Sequence, residues 1–451
     1  MTALPDGFGL TLSASVRRFE GGRVLAGGAP YRVLRLSGAG VRALEAMQAG
    51  RAVSPPGREL ARRLVDGGLA SPAPGTQVTA PEVTVLIPAR DRLSALERCL
   101  QALGGAPAVV VDDGSADPEG VAAVCRRHGA RAVRRAHPGG PATARNTGLA
   151  AMDTELVAFL DSDCVVPPGW LHRLGRHFAD PRVGAVAPRL TPWTRGESVR
   201  ERYAAARSPL DLGAEPGRVA PGHPIAYVPT AALLVRRSAI AQGFDETLRY
   251  GEDVDLVWRL HDAGWTVRYD PTVVVGHEEP STWSELLARR HRYGTAAAAL
   301  SQRHPGRLKP AILRPQPTAA AVLLLARRPG PALLAATLGA VGRGRRLRRA
   351  GLPPAAIATL GLTASWQTLL GLSRASTTLA APVLLAGLAA RPTRPTAAFL
   401  MAAWPLAQWT ARRPPLDPLR WAAAAVADDV AYGAGVWRGC LQSRTAAPLR
   451  L

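Results

Sequence analysis

Apolar runs alternate with amphipathic segments between residue 83 and about residue 290. Continuous β-type runs at 83–87, 109–111 and 157–160 predict buried strands, with a short candidate strand at Val133. Strands that alternate with helices form βαβ units around a mostly parallel sheet. The intervening segments have helical periodicity, at 93–103, 121–128 and 142–151.

A smaller module precedes this α/β region, over residues 1 to about 75. Residues 32–36 form a strand-like run, and Ser37 is placed to cap a helix that carries Leu44 and Met47 on one face. A second helix is expected from about residue 56 to residue 65. Prolines and a glycine at 72–75 then predict a linker.

The chain changes character beyond Arg307, where apolar runs are separated by Pro, Gly and Arg clusters. The uncharged stretch 350–373 has enough residues to cross a bilayer, which needs about 20. Pro353, Pro354 and Gln367 interrupt it. The pattern therefore predicts an apolar helical tail over 307–451, and leaves a membrane span, an interfacial helix and a soluble helical cap as alternatives.

Charge and cysteine content narrow the class of protein. The net charge is +22, but residues 307–451 carry 19 basic and only three acidic residues, and so contribute +16 of it. This distribution favours an anionic membrane surface as a partner, and no nucleic acid is expected. The four cysteines lack a CxxC spacing, and the first ten residues lack a secretory signal. Both features predict a cytoplasmic protein, at the inner face of the cell membrane.

Acidic residues follow the predicted strands of the α/β region. Asp113 follows the run at 109–111, and Asp161 and Asp163 follow the run at 157–160. Open α/β sheets bind ligands at the carboxyl ends of their strands. Two carboxylates at alternate positions suit a sugar hydroxyl and a hard cation such as Mg²⁺ or Mn²⁺. A structural turn is the alternative for Asp113, and a solvated turn or a helix cap is the alternative for Asp161 and Asp163.

Three further positions are candidates for chemistry. Arg145 lies at helical spacing after Gly139-Gly140 and could approach phosphate oxygens, although a surface salt bridge would also explain it. Asp253 begins an amphipathic helix and could accept a proton from an attacking hydroxyl, unless it is only a cap. His277 ends an apolar run and could complete an oxygen-rich metal shell, unless it is structural.

These positions resemble the motifs of the family-2 glycosyltransferases, which have the GT-A fold. The resemblance implies that Pro88, Arg90 and Asp91 form the nucleotide loop and that Asp113 contacts uracil. It implies that Arg145 is the arginine of an ARNxG motif and that Asp161 and Asp163 are the DxD pair. It further implies that Asp253 is the catalytic base and His277 a metal ligand. Cys164 stands where the family often has another acid.

The flanking regions indicate which members of the family this chain resembles. Residues 1–75 are similar to the winged-helix-like peptide-recognition module of PqqD-like proteins. Such a module ahead of a GT-A domain, here residues 80–306, resembles the glycosyltransferases of the mycofactocin system. That resemblance implies metal-dependent, inverting transfer of glucose from UDP-glucose onto the peptide-derived acceptor premycofactocin, which builds a β-1,4-linked oligosaccharide. The module would bind the acceptor or its precursor peptide. A cell-wall polysaccharide or lipid-linked acceptor, a sugar nucleotidyltransferase and a non-catalytic binding scaffold are the alternatives.

Overall fold

The computed structural model describes residues 3–193, 196–311 and 313–450. Its internal contacts divide the chain into two units. The first contains Met1–Arg195 and Arg207–Glu279, and the second contains Gly196–Ala206 and Pro280–Leu451. The N-terminal module therefore belongs to the same unit as the central sheet, and residues 280–306 group with the C-terminal helices.

The N-terminal layer, residues 3–78, has a core of its own. Strands β1 and β5 pair antiparallel, and β2, β3 and β4 form a separate antiparallel sheet. Leu25, Leu44, Met47 and Leu64 are buried together between these strands and the helices. The elements are β1 (Phe8–Leu12), β2 (Arg17–Phe19), β3 (Val24–Gly27), β4 (Arg32–Arg35), α1 (Gly38–Gln48), α2 (Pro55–Asp66) and β5 (Ala70–Pro74).

Both helices predicted in this layer are confirmed. The hydroxyl of Ser37 accepts a hydrogen bond from the Gly40 N–H at 3.1 Å, which satisfies one of the unpaired donors at the start of α1. The predicted linker at 72–75 is wrong in part, because Pro72 and Pro74 lie within β5. Proline is tolerated there because this strand pairs with β1 alone among the described strands.

The central sheet follows, in the order β10-β14-β11-β13-β9-β6-β7-β8, with β12 beside β14. Strands β8, β7, β6 and β9 are mutually parallel, and β13 runs antiparallel between β9 and β11. The elements are β6 (Val83–Ala89), α3 (Leu93–Leu103), β7 (Ala108–Asp113), α4 (Pro118–Arg127), β8 (Arg131–Arg135), α5 (Pro141–Ala150), β9 (Leu156–Leu160), β10 (Cys164–Val165), α6 (Trp170–Gly175), β11 (Val183–Pro192), α7 (Val199–Arg207), β12 (Gly217–Val219), β13 (Ala232–Arg236), α8 (Glu252–Asp262) and β14 (Thr266–His277).

The predicted α/β class with a mostly parallel sheet is confirmed. All five residues of β9 are fully buried, as expected for a central strand covered on both faces. The parallel strands β6, β7 and β9 end at Ala89, Asp113 and Leu160, so the loops that follow them meet at one edge of the sheet.

A buried group of charges fixes the N-terminal layer to the sheet. Asp180 accepts hydrogen bonds from Arg62 of α2 at 2.9 Å and from Arg268 of β14 at 2.5 Å. The side chains are 1%, 0% and 4% exposed for Arg62, Asp180 and Arg268. Burial opposes ionisation of Asp180, but the hydrogen bond from Arg62 and the charge of Arg268 outweigh it and lower the pKa. The carboxylate is therefore ionised between two guanidinium groups.

The second unit is helical. Trp421 is fully buried and packs against Tyr203 of α7, with ring centroids 5.4 Å apart. Besides α7, the elements are α9 (Trp283–Arg303), α10 (Pro315–Leu325), α11 (Pro329–Arg349), α12 (Pro354–Leu379), α13 (Ala381–Ala389), α14 (Arg394–Arg412) and α15 (Pro418–Gln442). Among the described residues, one helix, α12, has the length and composition needed to cross a membrane.

Helices α9 and α15 pack closely because glycines line their contact. A Cβ at Gly435 would lie 2.0 Å from the carbonyl oxygen of His291, and one at Gly439 would lie 2.4 Å from that of Thr295. No larger residue fits at either position without moving a helix backbone. The contact also holds Arg290 of α9 against the buried carboxylate of Asp428 on α15.

The first prediction concerns Asp180. We expect Asp180→Ala to lower the free energy of unfolding by about 3–5 kcal/mol, because it leaves Arg62 and Arg268 buried without a counter-charge. Urea denaturation followed by circular dichroism measures the loss. Asp153→Ala removes an exposed carboxylate 3.9 Å from Arg237 and is the control, with no measurable change expected. Equal stability of the two variants would show that the charge group does not hold the layer.

Candidate active site

Asp161, Asp163 and His277 meet because the chain turns back after β9. The N–H of Cys164 donates to the carbonyl oxygen of Asp161 at 3.0 Å, which closes a tight turn. Strand β10 then pairs antiparallel with the end of β14, with Cys164 opposite His277. Ligand atoms of the two aspartates and the histidine consequently lie within 4.8 Å of one another.

These three residues fit a divalent cation. Oδ1 of Asp163 and Nδ1 of His277 are buried without a hydrogen-bond partner among the described residues. Nε2 of His277 is 3.6 Å from Oδ1 of Asp163, which is too long for a hydrogen bond. Unpaired buried polar atoms are costly, and two carboxylates with one imidazole are donors that Mg²⁺ or Mn²⁺ accepts. These three residues, the cation group, can therefore hold such an ion.

Two arginines, the residue before α3 and one within that helix, border this group. Arg92 donates to Oδ2 of Asp163 at 2.7 Å and to Glu278 at 3.0 Å. Arg98 donates to the other oxygen of Glu278 at 2.6 Å. These three contacts were not predicted from the sequence, although Glu278 follows His277 directly and Arg92 follows the predicted loop residue Asp91. Asp163 thus keeps one oxygen for the cation group while Arg92 binds the other.

Arg145 links the cation group to helix α8. Its two terminal nitrogens donate to Asp161 at 2.8 Å and to Glu252 at 3.0 Å. The residue is 3% exposed, and its guanidinium lies 5.4 Å from the centre of the Phe244 ring. Burial opposes the charge, but Asp161 and Glu252 outweigh burial and raise the pKa of Arg145. In this structure the guanidinium therefore contacts carboxylates, at the position where phosphate contacts were predicted.

Asp253 lies in the first turn of α8, next to Glu252. One of its oxygens accepts a hydrogen bond from the Val254 N–H at 2.8 Å. Burial, and then the negative charge of Glu252, raise the pKa of Asp253 to about 7, although Val254 and Arg145 oppose the shift. A carboxylate with this pKa can accept a proton near neutral pH. Glu252 was not among the predicted site residues, and its position beside Asp253 was the available signal.

Asp113 fixes the loop that precedes α5. Its carboxylate accepts hydrogen bonds from the N–H groups of Gly139 and Gly140 at 2.9 and 2.7 Å, and from Arg135 at 2.8 Å. Gly140 has a φ of 87°, a conformation that glycine adopts without strain. Since α5 carries Arg145, Asp113 also helps to set the start of that helix. Contact with a nucleotide base stays a prediction.

The predicted nucleotide loop lies beside this turn. The N–H of Asp91 donates to the Ser115 hydroxyl at 3.1 Å, and its carboxylate accepts from the Ala116 N–H at 2.7 Å. Asp91 has a φ of 57°, and Arg90 lies 3.3 Å from its carboxylate. Pro88 is half-buried in β6, opposite Val111. These contacts join the ends of β6 and β7, and none of the three residues is among the three that could hold the cation.

The predicted site residues thus form two groups at the carboxyl edge of the parallel strands. Asp161, Asp163 and His277 form the first, and Arg145 connects them to the helix that carries Asp253. The second group contains Pro88, Arg90, Asp91 and Asp113, at the ends of β6 and β7. Helix α5 joins the two groups, because Asp113 holds the loop at its start and Arg145 lies within it.

A family model, curated relatives and solved structures match this chain. The model of glycosyl transferase family 2 matches residues 84–244. The pre-mycofactocin glycosyltransferase of Mycobacterium tuberculosis (strain CDC 1551 / Oshkosh) is 39% identical over 470 aligned residues, covering 100% of this chain and 98% of the relative. Glycosyltransferase AglE of Haloferax volcanii is 26% identical over 232 residues, covering 48% of this chain and 73% of the relative. A solved structure, the mannosyltransferase PcManGT from Pyrobaculum calidifontis in complex with GDP-Man and Mn²⁺, is 21% identical, with a TM-score of 0.39 over 72% of this chain and 86% of that chain.

The identity of 39% extends over the full length of this chain, so it includes the N-terminal layer and the C-terminal helices as well as the sheet. The resemblance inferred from the motifs is confirmed. The chain belongs to the family-2 glycosyltransferases, in the family of the pre-mycofactocin glycosyltransferase.

Proposed function

We propose that this protein transfers glucose from UDP-glucose to premycofactocin, with inversion at the anomeric carbon, and builds a β-1,4-linked oligosaccharide. Membership of the family supports the acceptor, because the relative is named a pre-mycofactocin glycosyltransferase and aligns over 98% of its length. It favours this acceptor over a cell-wall polysaccharide or a lipid-linked sugar. The observation that carries the proposed chemistry is the contact of Arg145 with both Asp161 of the cation-binding group and Glu252, the neighbour of Asp253. The pKa of Asp253 is about 7.

The residues have distinct roles in this proposal. Asp163 and His277, with Asp161 beside them, would hold Mg²⁺ or Mn²⁺, which would supply positive charge for the departing diphosphate. Pro88, Arg90, Asp91 and Asp113 form the nucleotide side of the site, at the ends of β6 and β7. Arg145 keeps Asp161 and Glu252 in fixed positions.

Asp253 is the proposed general base. Its ionised carboxylate takes the proton from the acceptor hydroxyl that attacks the anomeric carbon. Glu252 raises the pKa of Asp253 towards neutrality and so strengthens it as a base, while the contact with Arg145 keeps Glu252 itself in place. The N-terminal layer is the proposed binding module for the peptide-derived acceptor or its precursor peptide.

The C-terminal helices are proposed to contact the inner face of the cell membrane. Leucines on α10 and α11 are exposed, with Leu324 at 53%, Leu333 at 66% and Leu334 at 60%. The arginines at 345, 346, 348 and 349 lie on α11 and are exposed as well. Exposed apolar side chains beside arginines suit an anionic membrane surface.

The base assignment predicts the effect of Asp253→Asn. We expect kcat to fall by about 10²–10⁴-fold, because the amide cannot accept the proton, while UDP-glucose binding is retained. Mass spectrometry of premycofactocin counts the hexoses added, and calorimetry measures donor binding. Asp262→Asn, at the far end of α8, is the control and should keep full activity. Near wild-type transfer by Asp253→Asn would reject the assignment, and no hexose addition by the wild type would reject the acceptor.

The pH dependence tests the same residue. Because the base must be ionised, kcat should fall as the pH drops below about 7 in the wild type. Glu252→Gln removes a negative charge that raises the pKa of Asp253, so the acid limb of the profile should move to lower pH. A limb that stays at the same pH in this variant would mean that another group titrates.

The metal assignment predicts weaker cation binding in His277→Ala. We expect the Mn²⁺ concentration needed for half-maximal activity to rise by at least about tenfold, because one of three ligand atoms is lost. Electron paramagnetic resonance of free Mn²⁺ measures binding directly. His172→Ala, an exposed histidine on α6, is the control. Unchanged Mn²⁺ binding by His277→Ala would remove this residue from the metal site.

The membrane proposal predicts binding of the full-length protein to phosphatidylglycerol vesicles but not to phosphatidylcholine vesicles in a flotation assay. Replacing the arginines at 345, 346, 348 and 349 by Gln should weaken binding by about 1 kcal/mol per residue. The control replaces four exposed arginines of the first unit by Gln, at 17, 42, 51 and 126. Equal losses in both variants would indicate only a net-charge effect.

A further inference from the structure

A cavity of about 190 Å³ lies between the N-terminal layer and the central sheet. Strand β5 lines one side, and β12, β14 and the end of α6 line the other. It is separate from the proposed active site, since none of the proposed catalytic, cation or nucleotide residues lines it. Arg268 in the cavity and His277 at the active site are nine residues apart on β14, a distance of roughly 30 Å along a strand.

The cavity is rich in positive charge. Its lining includes Arg173, Arg176, Arg218 and Arg268, one carboxylate, Asp270, and one histidine, His177. The only carboxylate among them, Asp270, accepts a hydrogen bond from His177 at 2.9 Å. Burial lowers the pKa of His177, although Asp270 opposes the shift, so the imidazole adds no charge at neutral pH. Four guanidinium groups therefore face one carboxylate.

Neighbouring acids do not supply the missing negative charge. Asp180 is bound by Arg62 and Arg268, and Asp66 is bound by Arg182 at 3.0 Å. Burial lowers the pKa of Arg268 to about 10, even though the charge of Asp180 opposes the shift. The positive charge of Arg62 lowers the pKa of Arg268 further.

The same arginines have unused hydrogen-bond donors. The Nε atoms of Arg173, Arg176, Arg218 and Arg268 are all buried and have no partner in the part of the chain that the structure describes. The hydroxyl of Thr266, which also lines the cavity, is buried and unpartnered as well. Buried donors of this kind are normally satisfied, so this concentration of them in one cavity points to a ligand rich in acceptor oxygens.

We propose that this cavity binds a tetrahedral oxyanion of the phosphate class, either the free ion or a small phosphomonoester. Guanidinium groups bind phosphate oxygens through paired hydrogen bonds, and several of them can surround a tetrahedral dianion. One carboxylate offers only two oxygens and a single charge, and would leave most of these donors unpaired. Because β5 and β14 both line the cavity, the bound anion contacts the N-terminal layer and the sheet together and stabilises their association.

Calorimetry with the full-length protein tests the proposal. Inorganic phosphate is titrated at constant ionic strength, with UDP and Mg²⁺ present so that the proposed active site is occupied. We expect saturable binding that weakens by about tenfold or more in Arg176→Gln and in Arg173→Gln, because each loses a charged donor. Arg126→Gln removes an exposed arginine of α4 and should bind phosphate as the wild type does. Glucosyl transfer by each variant reports separately on the active site.

A comparison of ligands distinguishes the free phosphate ion from a phosphomonoester. Tighter binding of phosphoserine than of inorganic phosphate would identify a phosphomonoester, and the reverse order would identify the free ion. Acetate at the same concentration should not bind measurably. The proposal is overturned by absence of phosphate binding, by equal binding of acetate, or by equal loss in Arg126→Gln. Absence of glucosyl transfer by the wild type, with phosphate binding intact, would instead contradict the proposed function.

Discussion

The buried guanidinium of Arg145 is the contact on which the active-site arrangement depends. It lies between Asp161, which follows strand β9, and Glu252, which begins helix α8. These two carboxylates are 91 positions apart in the chain, and each would repel the other without a cation between them. With Arg145 in place, the acids of the cation group and the helix that carries the proposed base are held at one edge of the sheet. The burial that makes this pairing strong also raises the pKa of Asp253.

Arginine has a similar role elsewhere in the first unit. Arg62 and Arg268 enclose Asp180, and Arg135 supports Asp113. In each case a planar guanidinium offers several donors to a buried carboxylate, which compensates part of the desolvation of both groups. The cavity beside Arg268 differs, because its four lining arginines exceed the available carboxylates. Arg268 of β14 belongs to both settings, because it binds Asp180 and also lines the cavity.

The second unit uses other means of association. Gly435 and Gly439 let the backbones of α15 and α9 pack in direct contact. Asp428 is bound by Arg290 and by the hydroxyl of Tyr203. Apolar side chains that do not fit into this packing remain exposed on α10 and α11, next to the arginines of α11. Part of the excess positive charge noted in the sequence therefore lies on α11, a helix that also exposes leucine.

Sequence by itself determined the α/β class of the first unit and the order of its elements from β6 to β9. Continuous apolar runs required buried strands, Ser37 marked the start of α1, and the acids after β7 and β9 had to lie at the carboxyl ends of parallel strands. The grouping of Asp161 with Asp163 was local and could be predicted from their spacing. The positions of Asp253 at a helix start and of His277 at the end of an apolar run made them candidates, and the family motifs added their proposed roles.

Only the tertiary structure decided which distant side chains touch. Nothing in the local pattern showed that Arg145 would bind Glu252, that Arg92 would bind Asp163, or that α2 would contact β14 through Asp180. The antiparallel strand β13 and the inclusion of Pro72 and Pro74 in β5 were also hidden, because pairing partners are chosen across the chain. Periodicity reports the environment of a segment, whereas ion pairs and cavities depend on how separate segments meet, and that is fixed only when the whole chain packs.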